Sequence, residues 1–189
     1  DPVWLAKAHR DGYFVDFITG MSNAVFTVDE SWIRFSIPAV ILGVSTRVLG
    51  AEELLVSKLF VLRRERFDGA DVVHLIYATH GRLDWKRILY LVGEHWEVLL
   101  GALVLFRYVY PASSHYVPAD VWQGLLDRFS QQLASPNPAA PFRGSLVDEN
   151  MFAIDVAEWG MTNMLEKSRT DRQPGIILCQ DMPARAPAE

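Results

Sequence analysis

Residues 50–76 read GAEELLVSKLFVLRRERFDGADVVHLI, and this stretch decides the fold class. Leucines recur in it at the three- and four-residue spacing of one helix face. These are Leu54, Leu55, Leu59 and Leu62. Phe67-Asp68-Gly69 breaks the pattern, and Asp68 is a candidate N-cap for a second helix. The inward positions of that second helix are Val72, Val73, Ile76 and Tyr77.

Further helices are predicted downstream of this stretch. Asp84 is a candidate cap for a third helix, and residues 94–108 are predicted to form the most buried helix, which Pro111 ends. Another amphipathic helix is predicted to begin at Pro118. Residues 134–141, ASPNPAAP, read as a linker, and residues 151–159 have a short apolar pattern. Residues 167–189 are rich in proline and charge, which predicts loose order.

The part upstream of residue 50 favours strands. Residues 13–18 are rich in aromatic and β-branched side chains between two glycines, which predicts a strand. Residues 39–42 and 46–49 predict a hairpin, and residues 4–9 predict a short helix. Residues 20–29 are predicted to form a loop, and residues 30–35 fit either a helix or a strand. Strands followed by helices indicate an α+β fold, divided into strands (1–50), a helical domain (51–133) and a linker with C-terminal extension (134–189).

Composition restricts the class of protein. Half of the residues are hydrophobic and 22% are charged, which is typical of a globular protein. The net charge of −5 gives no basic footprint for nucleic acid. The apolar run at residues 98–106 is shorter than the roughly 20 residues of a membrane span, so we expect no membrane insertion. The single cysteine, Cys179, is compatible with a cytoplasmic location.

Asp16 is the first candidate for chemistry. It lies within a predicted strand, on the same face as Phe14 and Ile18. An ionised carboxylate is costly to bury without a partner. Asp16 is therefore either a metal ligand at a strand end, or an edge-strand residue that faces water or pairs with a nearby arginine.

Lys58 is the second candidate, because its helical neighbours are apolar. A lysine in that position either extends its ammonium to water or meets an anion. The anion is either a phosphate or a carboxylate such as Asp71 from the next helix. Arg66 lies either on a solvated face or beside Asp68 or Asp71, holding the carboxylate in place.

The opening stretch resembles a segment of bacterial nucleotidyltransferase-family proteins of the polymerase-β-like superfamily. The shared form is E-E-L, then S-K, then R-x-R-x-D-x-x-D, which here contains Lys58, Arg66 and Asp71. Residues 83–89 (LDWKRIL), 95–111 (HWEVLLGALVLFRYVYP), 117–129 (VPADVWQGLLDRF) and 143–160 (RGSLVDENMFAIDVAEWG) are also similar to these proteins.

The resemblance implies a mixed nucleotidyltransferase-type sheet, a helical bundle and transfer of a nucleotidyl group from an NTP with Mg²⁺. Three strand carboxylates hold the metal in such proteins, and Asp16 matches the third of them. Lys58 matches a lysine that faces the nucleotide phosphates, with Arg66 and Asp71 in the same block. The acceptor stays open between a small molecule, tRNA and protein, and a toxin–antitoxin partnership is compatible with the family.

The chain departs from the family in one respect. No Gly-Ser turn followed by an acid-x-acid pair precedes Asp16. One carboxylate is a poor site for two Mg²⁺ ions. We therefore expect an N-terminally truncated fragment that is inactive as given and that self-associates through exposed strands. The alternative hypothesis is a non-catalytic interaction or substrate-binding module.

Overall fold

A computed structural model describes residues 4–171, apart from the side chain of Asp171. The predicted loose order of residues 172–189 and the single cysteine Cys179 lie outside the described residues. The strands are β1 (Leu5–Arg10), β2 (Tyr13–Ile18), β3 (Ile37–Ile41), β4 (Val44–Val48), β5 (Leu62–Arg63) and β6 (Arg66–Phe67). The longer helices are α2 (Ala51–Leu59), α3 (Gly69–Ala78), α4 (Trp85–Val92), α5 (Trp96–Val109), α6 (Ala119–Ala134) and α9 (Met164–Asp171). The short helices are α1 (Glu30–Arg34), α7 (Gly144–Val147) and α8 (Ala153–Ala157).

The α+β class is confirmed, because the chain has several helices and small antiparallel sheets, with four of the six described strands before Gly50. Instead of the mixed sheet that the resemblance implied, the described strands pair as three separate antiparallel hairpins, β1–β2, β3–β4 and β5–β6. Each hairpin joins strands that are consecutive in the chain, so its register is fixed by a short local turn.

The helix predicted over residues 4–9 is wrong, since Leu5–Arg10 is strand β1. It pairs with β2 from Leu5↔Ile18 to Arg10↔Tyr13. The turn between them is Asp11-Gly12, and both residues have positive φ, 51° and 81°. Asp-Gly is a preferred sequence for a two-residue hairpin turn. That turn and the strength of β2 outweigh the helix propensity of the alanines in LAKAHR.

The predicted strand at residues 13–18 and the hairpin near residues 39–49 are confirmed, as β2 and β3–β4. The turn of the second hairpin is Leu42-Gly43, again with positive φ at both residues. The first predicted helix ends earlier than expected, at Leu59. Leu62 therefore lies in β5 and not on the helix face. The hairpin β5–β6 separates α2 from α3.

Two helix starts show how side chains fix the chain path. Asp29 accepts a hydrogen bond from the Ser31 amide (2.8 Å), which makes the ambiguous residues 30–34 a helix. Asp84 accepts one from the Arg87 amide (3.0 Å) and caps α4 as predicted. The predicted linker contains no helix or strand over residues 135–143.

The hydrophobic core lies among α2, α3, α4, α5 and α6. Its fully buried side chains include Leu55, Ile76, Ile88, Trp96, Leu99, Leu103 and Phe106. The helices are thus held together by one apolar centre, and α2 and α3 meet through this centre just beside the β5–β6 hairpin.

One helical stretch, Trp85–Val109, is long and apolar enough to cross a membrane by length and composition alone. It contains α4 and α5, whose buried faces form much of the core just described. The central helix of a soluble protein meets the same test, so the stretch is weak evidence for a membrane.

Candidate functional site

Lys58 lies in the last turn of α2, and only 23% of its side chain is exposed. Its ammonium is 2.6 Å from Asp68 Oδ2 and 2.8 Å from Asp71 Oδ2. The ion pair between Lys58 and Asp71, one of the predicted alternatives, is therefore present in the structure, and Asp68 is a second partner. Hydrogen bonds to Asp68 and then Asp71 raise the pKa of Lys58, so the ammonium stays charged in neutral solution.

Asp68 is the centre of this group. It is buried at the start of α3, and Arg66 donates from Nε to Oδ1 and from Nη2 to Oδ2, both at 3.0 Å. The hydrogen bond from Arg66 is the largest cause that lowers the pKa of Asp68, with Lys58 adding to it against the effect of burial. Asp68 makes no capping bond to α3, because these two cations occupy its oxygens. We call Lys58, Arg66, Asp68 and Asp71 the Lys58 cluster.

The β5–β6 hairpin places Arg66 in this cluster. Its register pairs Arg63 with Arg66, which leaves Arg64 and Glu65 as the two-residue turn. The Arg64 amide donates to Asp148 Oδ2 at 3.2 Å. Buried Asp148 also accepts from the amides of two residues that follow it, Asn150 and Met151. The segment after the linker therefore fixes the hairpin that carries Arg66.

Among the described residues, the Lys58 cluster has N–H donors that no hydrogen bond uses. An ammonium has three N–H groups and a guanidinium five. Asp68 and Asp71 take two from Lys58, and Asp68 takes two from Arg66. An incoming anion would still meet one donor on Lys58 and three on the exposed Arg66 side chain. The two carboxylates balance the two cations, so the cluster offers directed donors and no net positive charge.

Asp16 does not belong to this cluster. It lies on β2, more than a third exposed, and its recorded partner is the Lys7 ammonium at 3.4 Å on the neighbouring strand. Among residues 4–171 no group of three acidic, histidine or cysteine side chains is placed to hold a metal ion. Asp16 therefore pairs with a cation, but that cation is a lysine and not the arginine of the predicted alternative.

Sequence reasoning missed a buried ion pair between α2 and α4. Glu53 is fully buried, and its Oε1 accepts from Arg87 Nε at 3.0 Å. Arg87 also donates to Ser31 Oγ at 2.8 Å and lies over the Phe35 ring at 4.3 Å. A signal was present, because Glu53 is three residues before buried Val56 and so shares its face.

A cavity of about 130 Å³ lies elsewhere, between the start of α5 and the C-terminal segment. His95 and Arg143 line it, and no member of the Lys58 cluster does. Burial lowers the pKa of His95, so its ring is neutral in neutral solution. The cavity is well below the several hundred Å³ of typical cofactor pockets. The Lys58 cluster lies apart from this cavity and is partly exposed, through the side chains of Arg66 and Asp71.

Comparison with protein-family models, with curated proteins and with solved structures finds no match to the chain. No family is therefore assigned, and the resemblance to nucleotidyltransferases rests on the motifs quoted above.

Acid should destabilise the fold partly through Asp68 and Asp148. The pKa of each carboxyl is below that of an unfolded aspartate. The largest cause is a hydrogen bond, which Arg66 donates to Asp68 and the Met151 amide donates to Asp148. Their stabilisation is thus complete above the unfolded pKa of about 3.9 and is lost as pH falls towards the folded values. Urea unfolding of wild type and Asp148→Asn from neutral to acidic pH measures this. We expect the free energy of unfolding to fall less steeply with decreasing pH in the variant than in wild type. An equal slope in the two proteins would contradict the role of Asp148.

Proposed function

We propose that this chain has a nucleotidyltransferase-like function in which Lys58 contacts the phosphates of an NTP. The proposal combines the sequence block that contains Lys58, Arg66 and Asp71 with their arrangement around Asp68. The acceptor of the nucleotidyl group stays unassigned. A cytoplasmic location belongs to the same proposal, because NTPs are abundant there.

The observation that carries the proposal is the fixed position of the Lys58 ammonium. Two carboxylates hold it, Asp68 at the N-cap of α3 and Asp71 in the first turn, and part of the Lys58 side chain is exposed. A preorganised cation binds an anion without first losing side-chain freedom. Arg66, aligned by Asp68 on both oxygens, adds a planar set of donors that suits a phosphate group.

Mg²⁺ does not fit the described residues on their own. Asp16 is a single carboxylate whose nearest partner is a lysine, and the acids of the Lys58 cluster are occupied by cations. Magnesium sites need several free oxygen ligands. We therefore limit the proposed role of this chain to phosphate contact and route no chemical step through its own carboxylates.

Replacing Lys58 with Met should weaken NTP binding by about ten- to hundredfold, since a charge-assisted hydrogen bond contributes about 1.5–3 kcal/mol. Each of the four NTPs is titrated by isothermal calorimetry, with and without Mg²⁺. A second readout is protection of Lys58 from acylation by bound NTP, followed by mass spectrometry. The matched control is Lys86→Met, which removes the same charge from an exposed position on α4.

Equal affinity of wild type and Lys58→Met would overturn the role of Lys58. If wild type binds none of the four NTPs, the second candidate function gains support, namely a non-catalytic interaction module. One observation favours that candidate. The first two hairpins present apolar side chains to solvent, as a surface for another polypeptide would.

A further inference from the structure

The β5–β6 hairpin lacks the turn geometry that the other two hairpins have. Its turn is Arg64-Glu65, and neither residue has a positive φ. Two-residue hairpin loops favour turns with positive φ at one or both central residues, because their twist matches that of the flanking strands. The turns Asp11-Gly12 and Leu42-Gly43 meet this preference, since all four residues have positive φ. The β5–β6 hairpin is therefore less favoured by its own turn.

The β5–β6 hairpin is also short. Only two residue pairs form it, Leu62↔Phe67 and Arg63↔Arg66. Isolated two-stranded hairpins are at best marginally stable in water. Contacts from other parts of the chain must therefore hold this one in place, and the contact at its turn is the hydrogen bond from the Arg64 amide to Asp148 Oδ2.

Asp148 is a well-fixed acceptor for that amide. The residue is 6% exposed, and its Oδ1 accepts from the amides of Asn150 at 2.8 Å and Met151 at 3.1 Å. These two bonds orient the carboxylate and leave Oδ2 to the Arg64 amide. The segment around Asp148 is joined to the loop before α1, because Asn23 Nδ2 donates to the Leu146 carbonyl at 3.0 Å. Asp148 is thus held by contacts that do not involve the hairpin.

Arg66 is the residue that this support reaches, because it directly follows the turn. Its side chain is 65% exposed, and Asp68 accepts both of its recorded hydrogen bonds. A donor group that is already ordered binds an anion without first losing side-chain freedom. We propose that Asp148 is a positioning residue for Arg66: by holding the Arg64 amide, it keeps the guanidinium on Asp68 with three N–H groups free for a phosphate. This inference rests on the proposed function, and it makes the segment after the linker part of the phosphate-binding site.

Asp148→Asn is the variant that tests this role, because an amide side chain has one acceptor oxygen instead of two. That oxygen still suits the two amides that follow it in the chain, whereas the new NH₂ group would face the Arg64 amide, which is also a donor. We expect NTP affinity in isothermal calorimetry to fall about two- to tenfold, the cost of fixing one long side chain on binding. The matched control is Glu149→Gln, which alters the next carboxylate at a side chain that is 46% exposed, and it should bind NTP as wild type does.

A double-mutant cycle shows whether Asp148 acts through Arg66. In an Arg66→Met background, Asp148→Asn should change NTP affinity by less than about twofold, because the side chain that it positions is already gone. A general effect on the fold would weaken binding equally in both backgrounds.

Amide hydrogen exchange of wild type is a second measurement, and it needs no variant. The Arg64 amide should exchange more slowly than the Glu65 amide in the same turn, because Asp148 accepts from Arg64 and not from Glu65. In Asp148→Asn this difference should disappear.

The outcomes separate this inference from the proposed function. A wild-type chain that binds no NTP would overturn the proposed function and the inference with it. NTP binding that Asp148→Asn leaves unchanged would overturn the inference alone, as would an equal loss of affinity in the wild-type and Arg66→Met backgrounds. An Arg64 amide that exchanges as fast as the Glu65 amide would show that Asp148 does not hold the turn, and it would overturn the inference whether or not NTP binds.

Discussion

Replacing Arg87 with Met should lower the free energy of unfolding by about 3–5 kcal/mol, because Glu53 would keep a buried charge without a partner. Glu53 is fully buried, and the Arg87 side chain is 10% exposed. Arg87 also joins Ser31 in α1 to α4 and lies over Phe35. The substitution thus removes an ion pair, a hydrogen bond and a cation–π contact together.

The double variant Glu53→Met/Arg87→Met separates the cost of the unpaired charge from the value of the pair. Glu53 Oε2 has no hydrogen-bond partner among residues 4–171, so the wild-type pair is incompletely satisfied. Apolar replacement of a buried pair is often neutral or stabilising. We therefore expect the double variant to recover most of the lost stability in urea unfolding. Arg107→Met, at an exposed position, is the control for losing one arginine. A double variant as unstable as Arg87→Met would contradict this account.

Local patterns in the sequence predicted much of the fold. The aromatic and β-branched run of β2 and the cap at Asp84 are set by residues within a few positions of each other. Part of the Lys58 cluster is also local, because Asp71 was one of the anions that the sequence offered to Lys58, beside extension of the ammonium to water. Arg66 beside Asp68 was one of the alternatives that the sequence left open, and the structure contains it.

Long-range pairing was harder to predict. Arg87 meets Glu53 across 34 residues, and no local pattern says which buried carboxylate an arginine will reach. Asp148 and Arg64 are 84 residues apart, so the support of the β5–β6 hairpin was not foreseen. The error at β1 was different, because a local signal was present: Asp11-Gly12 is a hairpin turn directly before β2, and it predicts a strand over the residues that precede it.

Leu103→Ala should destabilise the protein by about 2–5 kcal/mol, since truncating a buried leucine loses transfer free energy and leaves a cavity. Leu103 is fully buried on α5, in the centre of the core. The next residue, Val104, is 55% exposed, and Val104→Ala should change stability by only about 0.5 kcal/mol. The two substitutions therefore test which face of α5 carries the core.

Urea unfolding in detergent-free buffer measures both variants and also tests how the apolar stretch Trp85–Val109 is used. A helix that packs in a bundle has one sensitive face, so Leu103 and Val104 should differ strongly. Equal and small effects at Leu103 and Val104 would show that α5 does not form the core of the folded chain. A large difference would confirm the buried face from which the positions of α2, α3 and the Lys58 cluster follow.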